Sequence, residues 1–269
     1  MNLGYEFTFR RAIISFPTVS YTFSSPFPAI LLFGSVIVYI LLVYCASQTT
    51  WWRKIVVRFE KLHYIALFIY STVSFLAAFY ELINSGEGNN FVSWLFSFSG
   101  SQSLTPPRLY CTPVSLYLRY VSLSFILSKI WEWFDTLILI ANGKTLNEIG
   151  FLHLYHHATT FALFLITTSF PVTEKAGLLL NGLVHSLMYY HFAFRLPRFI
   201  RPILTGIQII QLVVVTLAWI ECSRVCVDAI TFRKNHPIEF AIPFLLVPVY
   251  ILFFIIFFVE QYIVKVKKV

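Results

Sequence analysis

The sequence predicts an all-α integral membrane protein, a single domain over 1–269. Seven transmembrane helices are expected, six or seven of them forming a bundle around a polar chamber inside the membrane. Three observations predict it. The 269 residues are 58% hydrophobic and only 12% charged, against about 25% charge in a soluble domain, and the mean hydropathy is +0.76. Seven apolar stretches approach the ~20 residues that a helix needs to cross a bilayer. Four consecutive stretches also carry polar residues at helical spacing, in a setting where lipid makes such groups costly.

The elements follow in chain order. Arg10 and Arg11 precede a short apolar run that Pro17 interrupts, so no cleavable signal peptide is expected and the first span, 27–48, is an uncleaved anchor. The second span covers 62–83. The segment 84–114, with Gly86, Gly88, Pro106 and Pro107, is a long loop. The third span, 115–140, holds Lys129, Glu132, Asp135 and Thr136, whose spacing keeps them within about a third of the helix circumference. The bland alternative is a local Lys129–Glu132 pair that only fixes packing. The fourth span, 150–171, opens on His153-Leu154-Tyr155-His156-His157, three imidazoles on one face at ~100° per residue. The fifth, 176–194, aligns Asn181, His185, Met188 and Tyr189. The sixth, 202–221, carries Thr205, Gln208 and Gln211, which alone would read as interhelical hydrogen bonding. The seventh is 238–262. Four polar faces in consecutive spans must look at one another, which puts the histidine run at the heart of the chamber.

The net charge of +8 is spread between apolar spans, so it reads as topology and contacts to an anionic ligand, not as a nucleic-acid surface. Arg53, Lys54, Arg58, Lys61, Lys144, Arg195, Arg198, Arg201, Lys265, Lys267 and Lys268 fall on one side, against Arg10, Arg11, Arg108, Lys175, Arg224, Arg233 and Lys234 on the other, eleven to seven. The richer side is cytosolic: the N-terminus is lumenal or external and the C-terminus cytosolic. Cys111, Cys222 and Cys226 share the non-cytosolic side, where an oxidising lumen permits a bridge from Cys111 to Cys222 or Cys226.

Histidine-rich membrane sites also occur in di-iron desaturases and hydroxylases, which need about eight histidines because imidazole is the main ligand there. This chain has seven histidines. His63 and His236 sit near span edges and His191 lies well round the helix from His185, which leaves four for the chamber. One zinc on His153, His157 and a carboxylate is the remaining metal arrangement; no metal site is expected. The other use of a buried imidazole is chemical. A neutral histidine attacks activated carbonyls such as thioesters, with a second positioned group managing the proton.

These residues carry a family resemblance. The runs Lys129-Ile-Trp-Glu132-Trp-Phe-Asp135-Thr136, His153-Leu-Tyr-His156-His157, Asn181-Gly-Leu-Val-His185-Ser-Leu-Met188-Tyr189-Tyr190-His191-Phe192 and Thr205-Gly-Ile-Gln208-Ile-Ile-Gln211 stand in the order of the four motifs of the very-long-chain fatty acid elongases. The chain resembles that family over nearly its whole length. It departs where the third motif should end in two tyrosines and instead has His191 and Phe192, which removes two phenolic hydroxyls from the expected tunnel lining.

The resemblance implies a condensing enzyme of the endoplasmic reticulum membrane, with an acyl tunnel leading into the chamber. A long-chain acyl-CoA and malonyl-CoA give 3-oxoacyl-CoA, CO2 and CoA, without a cofactor. His156 is the expected nucleophile, forming an acyl-imidazole, with His153 or His157 and Asp135 orienting it and taking its proton; direct attack with His156 as base is the rival route. Asn181, His185 and Gln208 are candidate donors to the enolate. Lys129, Glu132, Thr136, Met188, Tyr189 and Gln211 are expected along the substrate path. Lys144, Arg195, Arg198, Arg201 and Lys265 are expected at the CoA phosphates. The chain carries no nucleotide-binding fingerprint, so a ketoacyl-CoA reductase, a dehydratase and an enoyl reductase complete the cycle as partners in the same bilayer. Lysines three and five from the end of Lys265-Val-Lys267-Lys268-Val269 look like a dilysine retrieval signal. A desaturase or a non-enzymatic transporter is the alternative.

Overall fold

The protein is described from a computed structural model, which places residues 27–84, 114–167, 173–226, 230, 233–234 and 237–264. Cys111, His236 and Lys265 lie outside the described residues. Among them there is helix and no strand: α1 (Phe27–Gln48), α2 (Arg53–Asn84), α3 (Leu116–Trp131), α4 (Trp133–Ala141), α5 (Leu146–Ile149), α6 (Phe151–Thr167), α7 (Leu178–Phe194), α8 (Ile200–Val225) and α9 (Pro237–Phe258). Two π-helical turns, Thr173–Gly177 and Val259–Val264, lead into α7 and extend α9. Among the described residues each expected apolar span falls mainly on helix, the end of the fourth, 168–171, lying outside them. Three segments are by themselves long and apolar enough to cross a membrane, Arg53–Asn84, Ile200–Arg224 and Phe240–Val264.

The third expected span is corrected. It is not one helix: α3 ends at Trp131, Glu132 forms a one-residue turn, and α4 begins at Trp133. Asp135 N–H bonds the carbonyl of Glu132 at 3.0 Å, a tightened three-residue closure, while Glu132 N–H still reaches Ser128 O at 2.8 Å. The backbone ladder therefore tightens at the residue carrying the buried carboxylate.

Local chemistry explains several ends. Ser115 caps α3 by accepting from Leu118 N–H, and its own N–H and hydroxyl both donate to Glu81 at the end of α2. Thr145 and Glu148 form a reciprocal capping box that starts α5, as the Thr-x-x-Glu spacing favours. The Thr145 backbone N–H and hydroxyl hold the Glu148 carboxyl below its ordinary range. Gly150, at φ 84°, supplies the left-handed turn that lets α6 start immediately afterwards.

Packing brings α2 and α7 into close contact along most of their lengths. Gly182 is the reason they approach: a Cβ there would sit 3.1–3.2 Å from the backbone and Cβ of Phe75. Further along the same seam Tyr64 stacks on Tyr189 at 6.3 Å. α1 packs its Tyr39 and Val43 against Trp133, Ile140 and Ala158, leaving Phe33, Ile37, Val38 and Leu41 exposed on its other face. α9, which contains Pro243 and Pro248, packs on α6 through Val247, Tyr250 and Leu163.

Candidate active site

The site is built on α6. Helical pitch spreads His153, His156 and His157 over an arc of about 100°, and the structure uses that spread to give them different neighbours. His156 faces a cavity bounded by α6, α7, α8 and α9, lined with Thr160, Phe164, Thr167, Asn181, Gln211, Trp219 and Tyr250 among others. Its free volume of about 80 Å³ is several times what one water requires, so it is not a packing defect. His156, Thr160, Leu163, Phe164 and Thr167 line it on successive turns, so from His156 to Thr167 the cavity follows α6 for roughly 16 Å. Among the described residues, ring contacts hold the His156 imidazole: Tyr250 at 5.2 Å, His157 at 5.4 Å and Phe254 at 6.4 Å between centroids. Tyr250 is itself fixed by a hydroxyl contact to Thr159.

The other two imidazoles turn away from that cavity. His153 Nε2 lies 2.9 Å from Thr136 Oγ1, which is also 2.8 Å from Tyr39 OH, so a chain of polar atoms links α6, α4 and α1. His157 packs on His153 at 4.3 Å between ring centroids, and its backbone carbonyl accepts from the Trp133 indole at 2.8 Å. Its Nδ1 is buried and finds no hydrogen-bond partner among the described residues.

The end of α3, which carries the first motif, supplies a buried ion pair. Lys129 Nζ donates to Glu132 Oε1 at 2.7 Å and to Asn181 Oδ1 at 2.9 Å, over the face of Phe125 at 4.2 Å. His185 Nδ1 lies 3.3 Å from the same Glu132 oxygen. Lys129 and Glu132 are 1% and 2% exposed, a burial tolerable only for charges that are paired. The ammonium has no acceptor capacity, so it orients the Asn181 amide with its oxygen toward α3. Asn181 also lines the cavity that His156 faces.

Asp135 does not reach His156 as expected. One oxygen lies 2.7 Å from His63 Nε2 on α2 and the other accepts from Tyr189 OH on α7 at 2.8 Å. Both of its oxygens are therefore engaged elsewhere. Gln211 lines the cavity, with its Oε1 buried and without a partner among the described residues. Gln208 instead reaches Met188 Sδ at 3.6 Å, and Thr205 reaches Tyr262 OH at 3.4 Å. Lys144, Arg195, Arg198 and Arg201 are exposed. Arg195 ends α7 in a left-handed conformation at φ 51°, and the following turn carries Arg198 toward α8. Cys226 is disulfide-bonded, and Cys222 keeps its thiol 3.5 Å away.

The sequence reading left out His63, Tyr39 and Tyr250. None of the three finds its partner on its own helix. Their partners are 72, 97 and 91 residues distant in sequence, a separation that no local spacing reveals.

Residues 22–269 match the GNS1/SUR4 family, ELO. The chain is similar to long chain fatty acid elongase 2 of Caenorhabditis elegans, 37% identical over 97 residues, which is 34% of each chain. It is 26% identical over 201 residues to long chain fatty acid elongase 1 of the same organism, covering 66% of this chain and 68% of that one. It is 34% identical over 150 residues to fatty acid elongase 1 of Trypanosoma brucei brucei, covering 45% and 46%. The chain thus spans between about a third and two-thirds of the lengths of these relatives.

Proposed function

The chain belongs to the GNS1/SUR4 family, and on that footing we propose that it is the condensing enzyme of fatty acid elongation, joining a long-chain acyl-CoA to the two-carbon unit of malonyl-CoA. The observation that carries this is His156 on the wall of an apolar cavity that Asn181, held through its amide oxygen by Lys129, also lines.

His156 attacks the acyl thioester. The C–S bond breaks, CoA leaves as the thiolate and takes up the imidazole proton, and the acyl group stays on the ring nitrogen. Malonyl-CoA then loses CO2, and its thioester enolate is stabilised by N–H donors aimed at the oxygen; the Asn181 amide, on the cavity wall, takes that task, with His185 one turn further along α7. The enolate carbon attacks the acyl carbonyl, the C–N bond to His156 breaks, the departing imidazole nitrogen takes up a proton from solvent, and the product is 3-oxoacyl-CoA two carbons longer. No cofactor takes part.

The acyl tail lies along α6 past Thr160 and Thr167. Lys144, Arg195, Arg198, Arg201 and Lys265 meet the CoA phosphates on the cytosolic side. The full arrangement is a seven-span bundle in the endoplasmic reticulum membrane with the N-terminus lumenal. Cys111 bridges to Cys226. A ketoacyl-CoA reductase, a dehydratase and an enoyl reductase consume the product in turn.

The test uses purified full-length protein in detergent, with malonyl-CoA labelled in its retained carbons and acyl-CoAs of graded length, without metal or NADPH. Labelled 3-oxoacyl-CoA and a covalent acyl adduct that maps to His156 are expected, and His156→Ala should lose both. An adduct that survives His156→Ala would overturn the nucleophile. No product from any acyl-CoA, with iron in the protein, would point to a desaturase.

A further inference from the structure

We propose that His63, outside the four motifs, is a positioning residue for the condensation, acting through Asp135 and Tyr189 on the α7 face that carries Asn181 and His185. The inference rests on the condensing function proposed above.

His63 Nε2 lies 2.7 Å from Asp135 Oδ1, with the two side chains 10% and 6% exposed. A carboxylate only accepts, so the Nε2 proton is donated to Asp135. The opposite oxygen takes the Tyr189 hydroxyl at 2.8 Å. One carboxylate thereby ties α2, α4 and α7 together at a single point. With both oxygens engaged in opposite directions, the carboxylate has one orientation. Tyr189, fully buried, has one hydroxyl direction in turn.

That direction matters for the reaction because of what shares the helix. The Tyr189 ring meets the His185 imidazole edge-on at 5.7 Å, and His185 lies 3.3 Å from the Glu132 oxygen that pairs with Lys129. Asn181, one turn before His185, takes the second Lys129 hydrogen bond and lines the cavity. A turn of α7 about its axis would move Asn181 and His185 together. Gly182 lets α7 lie against α2 but supplies no polar lock on that rotation, whereas the His63–Asp135–Tyr189 contact does. The imidazole is also seated among the rings of Tyr64, Trp131 and Phe134 at 5.4–6.3 Å. Its proton donor therefore points where Asp135 stands.

Two variants separate the donor from the ring. His63→Phe keeps an aromatic ring among Tyr64, Trp131 and Phe134 and removes the N–H. His63→Gln removes the ring and places an amide N–H near the position of Nε2. Steady-state rates of 3-oxoacyl-CoA formation are measured on both against wild type, varying acyl-CoA and malonyl-CoA separately. His63→Phe should lower kcat by about ten- to a hundredfold, the scale of a misplaced catalytic group, with both KM values within about threefold of wild type. His63→Gln should recover kcat to within about threefold. Wild-type kcat in the Phe variant, or equal loss in Phe and Gln variants, overturns the inference and assigns His63 to packing. If the Phe variant fails to fold, the Gln variant decides alone: near wild-type kcat supports the donor role, and a tenfold loss overturns it. Wild-type protein that makes no 3-oxoacyl-CoA would strike the condensing function itself, a result read before any variant is compared.

Discussion

Lys129 is a cation with 1% of its side chain exposed, and three neighbours keep it there: Glu132, Asn181 and the face of Phe125. Removing only the cation strands a buried carboxylate. Lys129→Met should therefore cost about 3–5 kcal/mol. Lys129→Met combined with Glu132→Gln should recover most of that loss, because no unpaired charge remains. Thermal unfolding of the two variants in one detergent checks this, and a double variant no more stable than the single one would contradict it. At this scale partners one helical turn apart were within reach of the sequence: the i, i+3 spacing of Lys129 and Glu132 allowed an ion pair, weighed there only as the alternative to a place along the substrate path, and the structure forms it. The sequence was silent where partners are distant. His63 read as a lone residue near the end of a span, because the carboxylate that engages it arrives from another helix. Asp135, matched to its motif, read as a partner for His156, yet its two oxygens face α2 and α7.

The helices show the same division. Apolar stretches of bilayer length placed α1, α8 and α9 to within about four residues, since lipid demands internally satisfied backbone hydrogen bonds and so leaves helix as the only local option, whereas α2 begins nine residues before the expected 62–83 span. The turn at Glu132 and the π-helical turn before α7 were not legible, because they depend on which side chains the neighbouring helices present. The α2–α7 seam is the element that holds the site in place, and Gly182 sets its spacing. Gly182→Val should force the Phe75 backbone aside at a cost of ~1–3 kcal/mol, typical of overpacking. At about two to four degrees per kcal/mol for a large domain, the unfolding midpoint falls visibly and condensation falls with it. Gly34→Ala, where nothing lies within 4 Å, should leave the midpoint unchanged or raise it. Equal behaviour of the two variants would mean that the seam is not under steric control.

At the scale of the whole molecule, α1, α2, α8 and α9 expose many large apolar side chains among the described residues, while Lys129, Glu132, Asp135, His157 and His185 are buried. That inversion of a soluble surface suits a bilayer. The proposed orientation makes a joint prediction about the loops. A glycosylation acceptor introduced near Arg233 should be modified in microsomes and one near Arg198 should not, and a non-reducing digest should join the peptides of Cys111 and Cys226 and leave Cys222 a thiol. The opposite glycosylation pattern would reverse the topology, and a Cys222 crosslink would reassign the bridge. The sequence by itself determined the helical class, the membrane setting, the family and the residue types of the site, because hydropathy and spacing along one chain are local properties that a helix converts directly into faces. Only the tertiary structure decided which imidazole meets the cavity, which way the Asn181 amide points and what Asp135 holds. Those depend on contacts between helices far apart in sequence, whose relative rotation is set by packing at residues such as Gly182.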